Sequence, residues 1–264
     1  VYFGKDEEKN VGKVLKGYHP KKVLIHYGGN SAIKSGLLDR VKKALEEENI
    51  AYCLCGGVVA NPLLSKVNEG IELCKKEEVD FILAVGGGSV LDSSKGIAYG
   101  VYNEGNVWDY YARKKKVKGA LPMGCILTLS ATGSEMSNSS VITNEDGNLK
   151  RGLSSDYGYF KFSILNPELT YTVSKYQTMC GCTDIIMHTL ERYFTPYQTL
   201  DLVDQMAESL VRTVITNAKI LLEDPTNEKA RSEVMWAGSV SHNGMTGDRS
   251  LGDWACHQLE HALS

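Results

Sequence analysis

Over the first 168 residues or so, hydrophobic positions recur with two alternating periods. Lys22 to Tyr27 (KVLIHY) is a short apolar run, and the stretch from Ser31 to Glu47 carries Leu37, Leu38, Val41 and Leu45 on one helical face. Together they predict a strand feeding a helix. Ala51 to Val58 repeats the strand signal and Ser65 to Glu77 the helix signal, while Asp80 to Val85 (DFILAV) is the near-continuous apolar run of a strand buried on both faces. Such alternation predicts a mostly parallel sheet covered by helices. Between Asn103 and Ala120 the pattern lapses into a polar loop. Cys125 to Leu129 then predicts a strand, Ser140 to Thr143 with Leu149 to Leu153 a hairpin turning at Asp146-Gly147, and Phe160 to Leu165 the last strand.

After Asn166-Pro167 the period changes. Ser174 to Phe194, Leu200 to Leu222, Asn227 to Met245 and Gly252 to Ser264 all carry helical periodicity, with Pro196 and Pro225 as punctuation and no strand signal between them. The pattern therefore divides the chain into an α/β domain (residues 1–168) and an all-helical domain (residues 169–264). The last helical pattern reaches His261-Ala262-Leu263-Ser264 with no cap residue and no closing glycine, so the helical domain is expected to be incomplete; a short piece is likewise expected before Val1.

Composition narrows the class. The 264 residues, 42% hydrophobic and 23% charged, are enough to bury a core. A net charge of −3 without a long basic or acidic tail makes no electrostatic case for nucleic acid or an anionic membrane surface. Lys114, Lys115, Lys116 and Lys118 read as a solvated loop rather than an anion-binding patch. With no run of 18 apolar residues and a charged start at Lys5 to Lys9, neither a membrane span nor a signal peptide is indicated, and the expected location is cytoplasmic. Seven cysteines, four of them in C-x-C spacing (Cys53, Cys55, Cys180, Cys182), argue against a disulfide framework or a zinc ribbon and for reduced, mostly buried thiols.

Three groups of residues carry candidate chemistry. Gly86-Gly87-Gly88-Ser89 lies between the strand DFILAV and a predicted helix from Val90 to Ala98. Glycines there let a ligand approach the backbone, and the helix start favours an anion such as a phosphate; the alternative is a turn needed only for tight packing. Thr128-Leu129-Ser130-Ala131-Thr132-Gly133-Ser134-Glu135 also leaves an apolar strand, and its hydroxyls either grip part of a dinucleotide or cap the next helix. Both groups follow strands of one parallel sheet, where ligands sit beyond the carboxyl ends. Finally, Asp184 and His188 stand four apart on one helical stretch, and His257 and His261 four apart on another, so each pair aims two side chains at one point. Either pair alone fits an ordinary polar helix face. Together they suit Zn²⁺ or Fe²⁺, and a site with an open position polarises a substrate oxygen.

The strings GGGSVLDSSKGIA (Gly86 to Ala98), TLSATGSE (Thr128 to Glu135), DIIMH (Asp184 to His188) and GDWACHQLEH (Gly252 to His261), in this order over essentially the whole chain, closely resemble the iron-containing (group III) alcohol dehydrogenases. Within that family the similarity is to the NADPH-dependent butanol dehydrogenase and aldehyde reductase branch. The resemblance implies a Rossmann-like dinucleotide-binding domain followed by a helical metal-binding domain, and a homodimer. It places metal-binding roles on Asp184, His188 and His257, and a supporting or proton-relay role beside the nicotinamide on His261. It also assigns pyrophosphate binding to Gly87, Gly88 and Ser89, and dinucleotide contacts to Asn61, Thr128, Ser130, Thr132 and Lys150. The implied activity is hydride transfer between nicotinamide and a primary alcohol or aldehyde such as butanol or butanal.

Cofactor choice has its own handle. An NAD-preferring enzyme places a carboxylate after the first strand, where it bonds the ribose 2′-OH and repels a 2′-phosphate. Here the region reads Tyr27-Gly28-Gly29-Asn30-Ser31, with Lys34 close behind and no acid before Asp39. Gly29 and Ser31 are therefore expected to admit the phosphate, which predicts NADP(H); the alternative is a turn that only packs, with NAD also accepted. The family's fourth metal ligand, a later histidine, is expected beyond Ser264. Three ligands can hold zinc with water but bind iron less tightly. Two other readings remain open: a glycerol dehydrogenase or dehydroquinate synthase-like enzyme on the same scaffold, and a non-catalytic nucleotide-binding fragment.

Overall fold

The computed structural model describes residues 1–195, 200–247, 252 and 254–263. It divides into two compact units, one of residues 1–128 and 138–166, the other of residues 129–137 and 167–264.

The first unit is a six-stranded sheet in which every pairing is parallel. Its strands are β1 (Tyr2–Phe3), β2 (Lys22–Tyr27), β3 (Ala51–Cys55), β4 (Phe81–Gly86), β5 (Met123–Leu127) and β8 (Phe162–Leu165), in the order β1-β8-β5-β4-β2-β3. β4 is central and buried at every position, as its unbroken apolar run requires. Between β5 and β8 the chain makes a separate antiparallel hairpin, β6 (Ser139–Asn144) and β7 (Leu149–Ser154), turning at the predicted Asp146-Gly147. Among the helices are α1 (Val11–Lys16), α2 (Asn30–Lys34), α3 (Leu37–Glu47), α4 (Leu64–Lys76), α5 (Gly88–Tyr102) and the single turn α6 (Trp108–Tyr111).

Three local expectations are corrected. The helix predicted from Ser31 to Glu47 is two helices, because Gly36 takes a left-handed φ of 69° and separates α2 from α3. The polar loop from Asn103 to Ala120 contains α6, whose Tyr110 and Tyr111 are buried; Lys114 and Lys115 face Asp109 on its surface at 4.0 and 3.3 Å, as a solvated loop would. Before Lys22 stand β1 and α1, for which no element was predicted: two residues show no period, and α1 buries only Val11, Gly12 and Leu15.

Two buried polar side chains tie the sheet to its cover. His26 on β2 donates through Nδ1 to the Cys55 carbonyl (2.9 Å) and accepts at Nε2 from the Ser93 hydroxyl (2.8 Å), so β2, β3 and α5 share one ring. Burial pushes its pKa down to about 4, so the imidazole is neutral. Lys95 on α5 donates to the Ser139 carbonyl (2.7 Å), and Asp92, one turn earlier, accepts from the Val141 N–H (2.9 Å), which fastens the hairpin to α5.

The second unit is helical: α7 (Lys175–Tyr193), α8 (Asp201–Glu223), α9 (Glu228–His242) and α10 (Ala255–Leu263). Ser174 and Asn227 cap α7 and α9 by accepting from the N–H groups of Gln177 and Ala230, so both helices start where the sequence signals placed them. Their shared core is Cys182 and Ile185 of α7, Leu210, Val214 and Leu221 of α8, and Ala230, Val234 and Ala237 of α9. Residues 129–137 belong with these helices: the Ser239 hydroxyl on α9 donates to the buried carboxylate of Glu135 (2.6 Å). All seven cysteines are free thiols, of which Cys55, Cys74, Cys125 and Cys182 are buried. Among the described residues, no helix is long and apolar enough to cross a membrane.

Candidate active site

In the first unit the strand order reverses at β2. The chain goes from β2 outward to β3, then returns to β4 on the other side, so the point of reversal lies between β2 and β4. Ligands of open α/β sheets bind at the carboxyl edge of such a point. Register puts Tyr27 beside Val85 and Gly86 beside Leu127, so the segments leaving β2, β4 and β5 start from one edge. Gly29 and Ser31, Gly87 to Ser89, and Thr128 are the residues that leave it.

The triple glycine divides its work. A Cβ on Gly86 would lie 2.5 Å from Val90 Cγ2, so this glycine lets α5 pack against β4, as the packing alternative expected. Gly87 is the N-cap of α5 and Gly88 and Ser89 its first residues, where backbone N–H groups lack intrahelical partners. Gly29 caps α2 and has open space where a side chain would point. The Thr128 N–H donates to the Gly86 carbonyl (3.0 Å). Asn61, with a left-handed φ of 53°, precedes Pro62, whose carbonyl accepts from the Thr143 N–H (2.9 Å); Lys150 pairs with Thr143 across the hairpin. The segment that follows Asn61 and the strand that carries Lys150 thus both pair with Thr143. Ser130 and Thr132 lie in the second unit, where the Thr132 hydroxyl accepts from the Ser134 N–H (3.3 Å), a local turn bond.

Also in the second unit, α7 and α10 bring Asp184, His188 and His257 together. One donor atom from each lies within 4.8 Å of the others. Asp184 Oδ1 is 3.9 Å from His188 Nε2 and 3.5 Å from His257 Nε2, and the two imidazoles stack at 4.6 Å. Ligand bonds of 2.0 to 2.2 Å in a tetrahedral arrangement put donor atoms about 3.4 Å apart, so this set fits a divalent ion with little movement. Burial lowers the pKa of His188 to about 4, which leaves its ring neutral, the form that coordinates metals. Burial raises the Asp184 pKa, but the His257 hydrogen bond and the histidine charges outweigh it, and the carboxyl stays below its ordinary range. For His257 the balance is reversed: burial pulls down, and the carboxylates of Asp184 and Glu191 raise the pKa above its usual value. His261, one turn farther along α10, contributes to the positive field at Asp184.

Sequence reasoning missed the neighbours of this site. Glu191 accepts from both the backbone N–H (3.1 Å) and Nδ1–H (3.0 Å) of His257. His242 on α9 packs its ring 4.4 Å from His188, and Arg192 reaches the His242 Nδ1 at 3.2 Å. Glu191 carried a signal, since positions 184, 188 and 191 follow the i, i+4, i+7 face of one helix. His242 carried none, because its place depends on how α9 meets α7.

Comparison with known proteins gives the family. The profile of the family described as iron-containing alcohol dehydrogenase matches residues 1–167, and that of the Fe-containing alcohol dehydrogenase family, C-terminal, matches residues 178–264. The chain is 43% identical to the NADH-dependent butanol dehydrogenase A of Clostridium acetobutylicum, covering 100% of this chain and 68% of that protein. It is 37% identical to the NADPH-dependent aldehyde reductase YqhD of Escherichia coli, again over 100% of this chain and 68% of the relative. The crystal structure of NADH-dependent butanol dehydrogenase A from Thermotoga maritima superimposes with a TM-score of 0.96 at 40% identity, over 100% of this chain and 66% of that one. The chain thus spans about two thirds of the length of the proteins it matches. With both profiles matched in sequence order and relatives this similar over its whole length, the chain belongs to the iron-containing alcohol dehydrogenase family.

Proposed function

We propose that this protein is a metal-dependent, NADP(H)-linked alcohol dehydrogenase that runs as an aldehyde reductase on small primary substrates such as butanal. The observation that carries this reading is the donor set Asp184, His188 and His257, spaced for one divalent ion, Fe²⁺ or Zn²⁺. When bound, the ion supplies Lewis acidity toward a substrate oxygen and the nicotinamide supplies or accepts hydride. The chain's own residues do the rest. Asp184 provides negative charge, His188 a neutral imidazole held by burial, and His257 an Nε2 that the hydrogen bond from Nδ1 to Glu191 turns toward Asp184. We assign to His261 the passing of a proton. Gly87, Gly88 and Ser89 offer backbone N–H groups to the pyrophosphate, with Gly29, Ser31, Asn61, Thr128, Ser130, Thr132 and Lys150 as further dinucleotide contacts.

The choice of NADP(H) rests on the turn after β2, which holds small residues, open space at Gly29 and Lys34 on α2, with no acid before Asp39. Relatives of both cofactor names are similar to this chain, so the choice is measured directly: kcat/KM for NADPH should exceed that for NADH, and the reverse order rejects it.

The whole reading is tested by following NADPH oxidation with butanal alongside metal analysis of the same protein. One bound metal per chain, lost in Asp184→Asn and His188→Ala, with aldehyde-dependent oxidation, is expected. A folded protein that takes up no divalent ion rejects the metal site. A second reading is nucleotide binding without turnover. Metal and cofactor both bound, with neither NADPH nor NADH consumed, would select it.

A further inference from the structure

We propose that Glu191 is a positioning residue: together with Arg192 it forms a clasp at the end of α7 that seats α10 and presents His257 to the metal in one tautomer. The inference rests on the metal-site reading above and adds to it the means by which the third ligand arrives. Within the described residues α10 buries none of its own side chains, and the contacts that hold it there lie in and just before its first turn.

Three contacts meet there. Glu191 is buried, and its Oε1 accepts two hydrogen bonds from one residue, the backbone N–H and the Nδ1–H of His257. His257 is the third residue of α10, where backbone N–H groups lack intrahelical partners and negative charge is favoured. A single carboxylate thus caps the helix and orients the imidazole it carries. A Cβ on Gly252 would lie 2.7 Å from the Glu191 carbonyl oxygen, so the backbone comes as near as only glycine allows. Trp254, at a left-handed φ of 57°, lies with its ring 4.7 Å from the Arg192 guanidinium. That guanidinium donates to the carbonyls of His188 (2.6 Å) and Ser241 (2.7 Å), which fixes the platform beneath the indole.

The chemical consequence concerns the ring nitrogens. A carboxylate can only accept, so the Glu191 bond keeps a proton on Nδ1 and turns Nε2 toward Asp184, 3.5 Å away, as the nitrogen that gives up its proton when a metal binds. Without that bond, the imidazole has access to the tautomer that blocks Nε2, and α10 loses the carboxylate that satisfies its first turn.

The test compares the purified protein with Glu191→Gln and Glu191→Asp, metal-free and loaded with Zn²⁺. Gln keeps the shape without the charge, and Asp keeps the charge without the reach. Long-range ¹H–¹⁵N spectra of the zinc-loaded wild type should show His257 protonated at Nδ1. Zinc affinity, by chelator competition, should fall about 10–100-fold in both variants. In the metal-free protein, amides at the start of α10 should be protected from exchange in the wild type and lose protection in Glu191→Gln. Wild-type zinc affinity in both folded variants, or a proton on Nε2 in the loaded wild type, overturns the proposal. Should the variants fail to fold, the wild-type tautomer still decides. A wild type that binds no zinc rejects the metal-site reading; the clasp is then judged on exchange alone and falls if α10 is unprotected in the metal-free wild type.

Discussion

His26 shows how much one side chain holds. It is fully buried, both ring nitrogens are engaged, and burial holds its pKa near 4 against 6.5 for a free imidazole. The folded-state pKa is depressed, so the unfolded chain takes up the proton first. Stability from this group is fully present above pH 6.5 and is lost progressively as the pH falls toward 4. The size of the effect is about 3 kcal/mol. Denaturant unfolding at several pH values, wild type against His26→Gln, should show a stability difference that changes by about that amount between pH 7 and 4. Parallel pH profiles for the two proteins would reject the assignment. At this scale the sequence was informative where residues share a helix face. Asp184, His188 and Glu191 follow one such face, whereas nothing in KVLIHY reveals that its histidine faces Ser93, 67 positions away.

Elements depend on a few enabling residues, and the junction of β4 with α5 is the clearest case. Gly86 is surrounded by Val90, whose Cγ2 would lie 2.5 Å from an added Cβ. Gly86→Ala should therefore destabilise the protein by roughly 1–3 kcal/mol through overpacking, and Val90→Ala in the same molecule should recover part of that loss. Strict additivity in a denaturant double-mutant cycle would show that the two side chains do not compete for the space. The elements themselves were largely legible. Ser174 and Asn227 mark helix starts because capping is a local hydrogen bond, and β4 announces itself by an unbroken apolar run. Elements that depend on partners were not: β1 is two residues that become a strand only by pairing with β8. Gly36 splits a continuous helical period because spacing records which face is buried, and not the sign of φ.

At the scale of the molecule, the two candidate sites draw their key residues from different units. Gly87 to Ser89 lie in the α/β unit, and Asp184, His188 and His257 in the helical one. Amide exchange should therefore separate the ligands: a divalent ion protects α7 and α10, while a nicotinamide cofactor protects the turn between β4 and α5. A ligand at about 100 times its Kd stabilises the form it binds by roughly 2.7 kcal/mol, enough for both effects to be read. A cofactor that left the turn between β4 and α5 unprotected would contradict this assignment. The sequence by itself determined the alternation of strands and helices, the change to helices after Pro167 and the residues offered for chemistry, because each follows from spacing along one short stretch. Tertiary structure alone decided that the strand order reverses between Gly29 and Gly87, that residues 129–137 join the helices, and that Glu191 meets His257 from 66 positions away. Those relations require burial to bring distant segments together, and local periodicity records only that a face is buried, not what buries it.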